Sequence, residues 1–184
     1  MDGGSVFWAE MAPCEHVVQI YEEGDAFLDT LESFVLDGLQ AGEGVVVIAT
    51  PLHLSALNRR LVKRGPAVVT AMHGDGYLAL DAEAMLCSFM VGGWPDDALF
   101  EGFVADVLRR AGQGDRRVRA FGEMVAILWA QGNCGATVHL EHLWHRLCEE
   151  QQFRLFCAYP KAGFTRDAVD SIRQIHDAHS RVLA

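Results

Sequence analysis

Apolar residues along this chain occur either in short continuous runs or in stripes with helical spacing. The runs HVVQIY (16–21) and VVVIA (45–49) are rich in β-branched residues, which predicts two strands. Because VVVIA has no polar alternation, we expect that strand to be covered on both faces. The intervening segment predicts a helix that begins after an N-cap at Asp25 and ends at Gly42. Its apolar stripe is Phe27, Leu31, Phe34, Val35 and Leu39.

A second helix is predicted directly after the run VVVIA. Thr50 is a favourable N-cap residue, Pro51 suits the first helical position, and Gly65-Pro66 predicts the end of the helix. After that helix, residues 67–72 and 77–81 are predicted to be strands on either side of a glycine-containing turn.

The rest of the chain continues the alternation of helices and strands. The predicted helices are 82–91, 96–111, 124–131, 135–150 and the tail from 165 onward. The predicted strands are 117–121 and 153–159. Such alternation is typical of an α/β fold with a mostly parallel sheet, helices on both faces and right-handed crossovers. We expect residues 16–184 to form one domain and residues 1–15 a loosely held arm, in which Phe7 and Trp8 are candidates for docking.

Composition narrows the class of protein. The 184 residues are 51% hydrophobic and 22% charged, which is typical of a globular domain, and the net charge is −10. This charge argues against direct binding of a nucleic-acid backbone. The sequence contains no run of about 20 apolar residues that could span a membrane, and its start does not resemble a secretory signal. Five cysteines without a C-x-x-C pair favour a reducing, cytoplasmic location.

Ligands of parallel α/β sheets bind beyond the carboxyl ends of the strands, here the loops 21–26, 49–53, 121–124 and 158–161. The first loop joins a strand to a long helix, which is the layout of a phosphate-binding P-loop, but EEGDAF contains no lysine and no hydroxyl. Each carboxylate at about 5 Å would repel a phosphate charge by about 3 kcal/mol. A helix N-terminus attracts an anion by only about 0.3–2 kcal/mol, so triphosphate binding without a metal is not expected.

The residues in and near these loops predict a small-molecule pocket. Aromatic walls and polar groups at the carboxyl edge are both available. The candidate ligand-binding residues are Tyr21, Glu22, Thr50, His53, Arg119, Glu123, Trp129 and Tyr159. Three alternatives stay open. Glu123 is a helix cap, or an acid that holds a metal or acts as a base. Arg119 pairs with Glu123 or a ligand anion, or lies at a solvated edge. The aromatic residues Tyr21, Tyr159 and especially Trp129 are either pocket walls or core residues with satisfied polar atoms.

No catalytic or metal-binding residues are predicted, and no cofactor. His139, His142 and His145 spread over about 120° of their helix, so they cannot converge on one ion. Serines lack a nucleophile motif, and Cys148 and Cys157 lack a flanking cation that would activate a thiol. On the tail helix, His176 and His179 are either a titrating or metal-binding pair or packing residues with satisfied hydrogen bonds.

With these elements placed, the chain resembles the MEDS domain, the methanogen/methylotroph DcmR sensory domain. The similarity is carried by HVVQIYEEGDAFLDTLESFVLDGLQAGEGVVVIATPLHLSALNRRLVKRG, GYLALDAEAMLCSFM, RVRAFGEMVAILWAQGNCGATVHLEHLWHRLCEEQQFRLFCAYP and IHDAHSRVL. That family is itself similar to RecA/KaiC-type ATPases, which implies a three-layer sandwich in which residues 22–27 occupy the place of a degenerate P-loop. The resemblance also implies a module that senses small hydrocarbon derivatives, usually joined to a histidine kinase or a DNA-binding domain.

We therefore expect a non-enzymatic sensory domain of a bacterial or archaeal signalling or transcription-regulation system. It would bind a small molecule and act on a separate partner, such as a histidine kinase or a regulator, since no output domain is recognised before its end at Ala184. The apolar seam of the tail helix would pack on its own domain, on a second copy or on the partner. Two alternatives remain: a divergent KaiC-like NTPase that uses Glu123 and a metal, and an interaction adaptor without a ligand.

Overall fold

A six-stranded parallel sheet organises the computed structural model, which describes residues 8–164 and 169–183. The strands are β1 (His16–Tyr21), β2 (Gly44–Ala49), β3 (Tyr77–Asp81), β4 (Met90–Val91), β5 (Trp94–Pro95), β6 (Val118–Gly122), β7 (Arg154–Pro160) and β8 (Arg181–Leu183). The order in the large sheet is β3-β2-β6-β7-β1-β8, and β4 and β5 form a separate antiparallel pair. The predicted mostly parallel α/β fold is confirmed.

Helices cover both faces of this sheet. They are α1 (Gly24–Gln40), α2 (Pro51–Val62), α3 (Pro66–Met72), α4 (Ala82–Phe89), α5 (Asp97–Ala111), α6 (Met124–Ala130), α7 (Cys134–Gln151) and α8 (Val169–Asp177), with short 3-10 turns at Trp8–Glu10 and Lys161–Gly163. One apolar cluster joins α1, α2 and α3 to one face, and the other joins α4 to α8 to the opposite face. β2 is buried along its whole length because both clusters cover it.

The direction of the chain across the sheet reverses once, and this reversal positions the site. From β1 the chain passes through β2 to the edge strand β3, and from β3 it returns through β6 and β7 to β8 at the other edge. The connecting helices therefore change faces between β2 and β6. The crevice outside the carboxyl ends of these two neighbouring strands is a topological switch point, where ligands bind in open α/β sheets.

Four local predictions from the sequence are wrong. Residues 67–72 are not a strand but lie in α3, because Gly65 and Pro66 both end α2 and begin the next helix. The helix predicted over 82–91 ends at Phe89, and positive φ at Gly92 and Gly93 turns the chain into the β4–β5 hairpin.

Helix α1 begins at Gly24 with Glu23, not Asp25, at its N-cap. The tail is not helical to its end, since residues 181–183 form a strand on β1. The predicted helix start at 165 lies outside the described residues.

The amino-terminal segment docks on the α1 face of the sheet. Trp8 and Met11 are each 2% exposed, and the Trp8 ring packs edge-on against Phe34 at 4.9 Å between centroids. Trp8 is therefore part of the core, whereas Phe7 lies outside the described residues. Among the helices of the described residues, none combines the length and the apolar character that crossing a membrane requires.

Candidate functional site

Glu123 connects the two sides of the switch point at the carboxyl edge of the sheet. It follows β6 and occupies the N-cap position of α6, but its carboxylate does not cap that helix. Instead, Oε2 accepts a hydrogen bond from the backbone N–H of Thr50 at 2.8 Å, and Oε1 accepts one from His53 Nδ1 at 2.7 Å. The Thr50 side chain makes no cap hydrogen bond. Glu123 instead binds the N–H of the N-cap residue and the His53 side chain, and so ties the start of α2 to the end of β6.

Tyr21 forms the second wall of this site, at the end of β1. Its ring stacks on Phe27 at 4.8 Å between centroids, and Phe27 meets the His53 ring edge-on at 5.0 Å. Burial, and after it the charge of Glu123, raises the pKa of the Tyr21 phenol to about 12. The phenol therefore stays protonated at neutral pH and can donate a hydrogen bond to a ligand.

A cavity of about 330 Å³ lies between these groups and α6, and we call it the edge cavity. Its lining combines aliphatic side chains with a few polar ones. The lining residues are Tyr21, Thr50, Glu123, Ala126, Ile127, Ala130, Gln131 and Pro160. Ligand cavities commonly have volumes of about 300–1,000 Å³, so the edge cavity suits a small molecule.

A second cavity of about 550 Å³ is also lined by Tyr21, and we call it the tail cavity. Glu22 and Lys161 form an ion pair at its wall, and this pairing lowers the pKa of Glu22. His176 of α8 and Val182 of β8 also line it. The full lining is Gln19, Ile20, Tyr21, Glu22, Glu23, Ala26, Lys161, His176 and Val182. Tyr21 is thus shared by the two cavities.

The turn between β1 and α1 presents an acidic surface. Glu22, Glu23 and Asp25 are all exposed there, and Asp25 accepts a hydrogen bond from Arg60 at 3.1 Å. Two basic groups contact these acids. Lys161 pairs with Glu22, and Arg60 is shared between Asp25 and Asp29. The turn therefore offers a phosphate group mainly carboxylates of like charge, as the sequence predicts.

Two predicted aromatic residues lie in the core instead of lining the cavities. Trp129 is 4% exposed, and its Nε1 donates to the carbonyl of Gly163 at 2.6 Å. Tyr159 is fully buried, and its hydroxyl donates to Glu141. Their polar atoms are satisfied within the fold, so neither is available to a ligand at the edge.

Arg119 lies apart from the other predicted site residues. Because it stands near the start of β6, its side chain is at the amino edge of the sheet, not beside Glu123. The guanidinium is fully buried and donates to Glu43 at 2.6 Å, to Asp37 at 2.8 Å and to the carbonyl of Phe34 at 2.8 Å. Because its N–H groups are bound by these acceptors and the side chain is buried, Arg119 neither contacts a ligand at the carboxyl edge nor lies at a solvated edge.

Four further histidines, on α7 and in the carboxyl-terminal part of the chain, lie in separate surroundings. His139 contacts Asp97 at 2.8 Å, and His145 lies 3.5 Å from Glu149. His176 is exposed at the tail cavity, whereas His179 is buried and its Nδ1 donates to the carbonyl of Ile175 at 2.5 Å. His176 and His179 therefore face different environments and do not form a pair.

Four of the eight predicted ligand-binding residues lie together at the carboxyl edge, namely Tyr21, Thr50, His53 and Glu123, and several cavity-lining residues were not predicted. These four converge because each lies at the carboxyl end of a parallel strand or within four residues after it. Gln131 and Lys161 were missed. Lys161 follows Pro160 in one of the four predicted loops, so its position carried a usable signal, whereas Gln131 ends a helix and carried none.

Comparison with known proteins gives one family. The model of the family MEDS, described as MEthanogen/methylotroph, DcmR Sensory domain, matches residues 15–177. Comparison with curated proteins gives no match. The family match spans every strand of the large sheet except β8 and includes all residues that line the edge cavity.

Proposed function

This chain belongs to the MEDS family of sensory domains, and we propose that it is a non-enzymatic sensor that binds a small molecule in the edge cavity. The sensor would pass its ligand state to a separate signalling partner, such as a histidine kinase or a transcription regulator. The observation that carries the proposal is the convergence of Tyr21, Thr50 and Glu123 on one cavity at the switch point of the sheet.

The lining of the edge cavity favours a small, mainly apolar ligand with one hydrogen-bonding group. Ala126, Ile127 and Pro160 supply apolar surface, and Tyr21 supplies a protonated phenol. The negative charge of Glu123 disfavours an anionic ligand. Each of its carboxylate oxygens accepts one hydrogen bond from the protein and can accept a second one from a ligand hydroxyl or amine. A small alcohol or amine has the required chemistry.

The position of Tyr21 supports a route from ligand to output. Tyr21 lines both the edge cavity and the tail cavity, and the tail cavity is also lined by residues of α8 and β8. A ligand that displaces the Tyr21 ring would alter a wall of the cavity that is lined by the tail segment, by which we mean residues 169–183 with α8 and β8. Such a switch requires the ligand to favour one arrangement over the other by a few kcal/mol.

A divergent NTPase is the second candidate function, because the β1–α1 turn has the layout of a P-loop. The acidic residues Glu22, Glu23 and Asp25 argue against it, and the turn has no lysine or hydroxyl that would hold a phosphate and its magnesium ion. We infer that the P-loop of a RecA/KaiC-like ancestor has degenerated here. Sustained ATP hydrolysis with Mg²⁺ that is lost in Glu123→Gln would overturn the non-enzymatic proposal.

Thermal unfolding in the presence of small molecules tests the proposal. The screen compares short-chain alcohols and amines with ATP·Mg²⁺ and cyclic dinucleotides. A ligand at about 100 times its Kd stabilises the folded state by about 2.7 kcal/mol, which raises Tm by about 5–10 °C for a chain of this size. We expect such a shift with an alcohol or amine and none with the nucleotides.

Ala130→Leu is the diagnostic variant, because Ala130 lies exposed at the mouth of the edge cavity and a larger side chain there occupies the cavity. Ala67→Leu makes the same change on the exposed surface of α3 and serves as the matched control. The shift should disappear in Ala130→Leu and persist in Ala67→Leu. If no compound shifts Tm, the ligand-free adaptor is correct, and a shift that survives in Ala130→Leu places the ligand elsewhere.

A further inference from the structure

Four side chains with metal-binding atoms meet inside the layer between the sheet and α7. His16 begins β1, Cys157 lies in the middle of β7, Glu141 belongs to α7, and His179 lies between α8 and β8. Each offers one ligand atom, and these atoms all lie within 4.8 Å of one another. All four residues are buried, so the cluster is separate from the solvent-accessible edge cavity.

We propose that His16, Glu141, Cys157 and His179 bind a zinc ion as a closed four-ligand site. This proposal goes beyond the sensory function and does not depend on ligand binding at the edge cavity. In tetrahedral zinc sites with bond lengths of about 2.0–2.3 Å, neighbouring ligand atoms are roughly 3.3–3.7 Å apart.

Three of the six separations between the ligand atoms agree with this geometry. His16 Nε2 lies 3.3 Å from Cys157 Sγ and 3.6 Å from Glu141 Oε2. His179 Nε2 lies 3.5 Å from the same Glu141 oxygen. Small side-chain movements bring the remaining pairs, which are within 4.8 Å, to the same spacing.

Two of the proposed ligand atoms have no hydrogen-bond partner among the described residues. Glu141 Oε2 and His179 Nε2 are buried and unpartnered, although an unsatisfied buried polar group costs about 1–3 kcal/mol. Both atoms face the centre of the cluster, as the contacts between them show. A metal ion there would satisfy both atoms.

The groups behind the cluster hold the ligands in the orientation that a metal requires. His179 Nδ1 donates to the carbonyl of Ile175, which leaves its Nε2 lone pair directed at the cluster. Tyr159 donates to Oε1 of Glu141 and leaves Oε2 free. Metal-binding histidines and carboxylates are typically oriented by such contacts.

Charge and ligand type both select a divalent cation of the zinc class. A Cys157 thiolate and a Glu141 carboxylate together carry the charge that neutralises one divalent ion, so the loaded site is buried without net charge. Thiolate and imidazole ligands favour zinc over magnesium or calcium, which prefer oxygen ligands. Four protein ligands leave no open position for water, which is typical of a structural site.

The metal would fasten the tail segment to the rest of the fold. His179 lies next to Ser180, whose N–H donates to the carbonyl of His16 at 2.7 Å, at the start of the β8–β1 pairing. Zinc coordination would add a link between β1, β7, α7 and this segment. Because the site is buried, we expect the ion to enter while the chain folds.

Refolding tests the site. The full chain is unfolded in urea with a chelator, freed of metal, and refolded with Zn²⁺, with Mg²⁺ or with no metal, and bound metal is measured by mass spectrometry. We expect zinc equimolar with the chain after refolding with Zn²⁺, and no retained Mg²⁺. Refolding with Co²⁺ should give the visible absorption of a tetrahedral site together with a thiolate-to-cobalt charge-transfer band.

Matched variants assign the ligands. Cys157→Ser and His179→Gln should lose zinc, whereas Cys148→Ser and His176→Gln keep it, because Cys148 is a buried thiol outside the cluster and His176 is exposed. Tyr159→Phe keeps all four ligands and should weaken zinc binding by about 10–100-fold. If Cys157→Ser does not fold, the cobalt charge-transfer band of the unaltered chain still tests the thiolate.

Two results would overturn the proposal. One is folded, unaltered protein that retains no stoichiometric zinc after refolding with Zn²⁺. The other is a Cys157→Ser variant that binds zinc as well as Cys148→Ser does. Either result would leave the cluster as a network of buried protons and hydrogen bonds.

Discussion

Arg119 and Arg154 are register partners on the neighbouring strands β6 and β7, so two guanidinium groups lie side by side in the core. Like charges in that relation are destabilising unless an anion lies between them. Glu43 provides the anion, with Oε2 2.6 Å from Arg119 and Oε1 2.5 Å from Arg154. The three residues thus form one buried charge cluster at the amino edge of the sheet.

Glu43→Ala is expected to lower the free energy of unfolding by about 3–5 kcal/mol, because it leaves two buried guanidinium groups without their shared anion. Urea unfolding followed by circular dichroism measures the change. Asp106→Ala is the matched control, since Asp106 pairs with Arg109 on the exposed surface of α5 and such pairs contribute less than about 1 kcal/mol. Equal losses in the two variants would contradict a cooperative role for the cluster.

Single residues were predictable from the sequence where strand order alone determines their place. Thr50 and Glu123 directly follow β2 and β6, and the parallel sheet brings their ends together. The place of Arg119 was not predictable, because its partner Glu43 is distant in sequence. The sequence suggested a ligand-binding role, with a solvated edge as the alternative. The cluster of His16, Glu141, Cys157 and His179 was missed because each ligand comes from a different element, so no spacing motif exists.

At the scale of elements, the tail segment is held by the short strand β8. The N–H of Ser180 donates to the carbonyl of His16. In a parallel pair, the N–H groups of alternate residues point to the same neighbouring strand. The N–H of Val182, two residues further on, is therefore directed toward β1. β8 is an edge strand of three residues, so the loss of one such bond removes a large part of its attachment.

Val182→Pro should therefore loosen the tail while the rest of the sheet stays folded. Proline has no N–H, so the variant loses this hydrogen bond, which we expect to lower the local stability by about 1.4 kcal/mol. Amide exchange in α8 and β8 should then be about tenfold faster. Hydrogen–deuterium exchange with mass spectrometry measures this rate. Val182→Ala shortens the same side chain but keeps the N–H, so it should exchange nearly as the parent does. Uniformly faster exchange throughout the sheet would contradict local opening.

Elements followed from the sequence when their signals were local. Val45–Ala49 was predictable as a buried strand because five apolar residues follow one another, and α2 because Thr50 and Pro51 mark its start. α3 was mistaken for a strand because Val68 and Val69 favour strands, whereas Gly65-Pro66 begins a helix that packs on α1 and α2. β8 was missed because its three residues form a strand only through pairing with β1.

At the scale of the whole molecule, one reversal of chain direction determines where function can lie. The same reversal places α1 to α3 on one face and α4 to α8 on the other, and it opens the crevice between β2 and β6. The proposed sensor site is at this crevice, and the proposed zinc site lies beneath α7. The tail segment supplies His179 to the proposed zinc site, and it lines the tail cavity, which shares Tyr21 with the edge cavity.

The stability of the whole fold should decline in alkaline solution, because folding holds tyrosines in their protonated form. Burial raises the pKa of Tyr77 to about 12, and burial together with the charge of Glu123 raises that of Tyr21 to about 12. Below the ordinary tyrosine pKa of about 10 the folded and unfolded states are both protonated, and this stabilisation is fully present. Between about 10 and 12 the unfolded state releases its protons first, so the free energy of unfolding falls as pH rises.

Tyr77→Phe isolates the contribution of one side chain to this alkaline loss. The variant keeps the ring that packs against the apolar cluster on the α1 face, but it has no proton to release. Urea unfolding at several pH values from about 9 to about 11 should therefore give a shallower decline than in the parent chain. Measurement near neutral pH supplies the baseline for the loss of the hydroxyl itself. If the two declines are parallel, Tyr77 ionises with the same pKa in the folded and unfolded states, and its burial has no part in the alkaline sensitivity of the molecule.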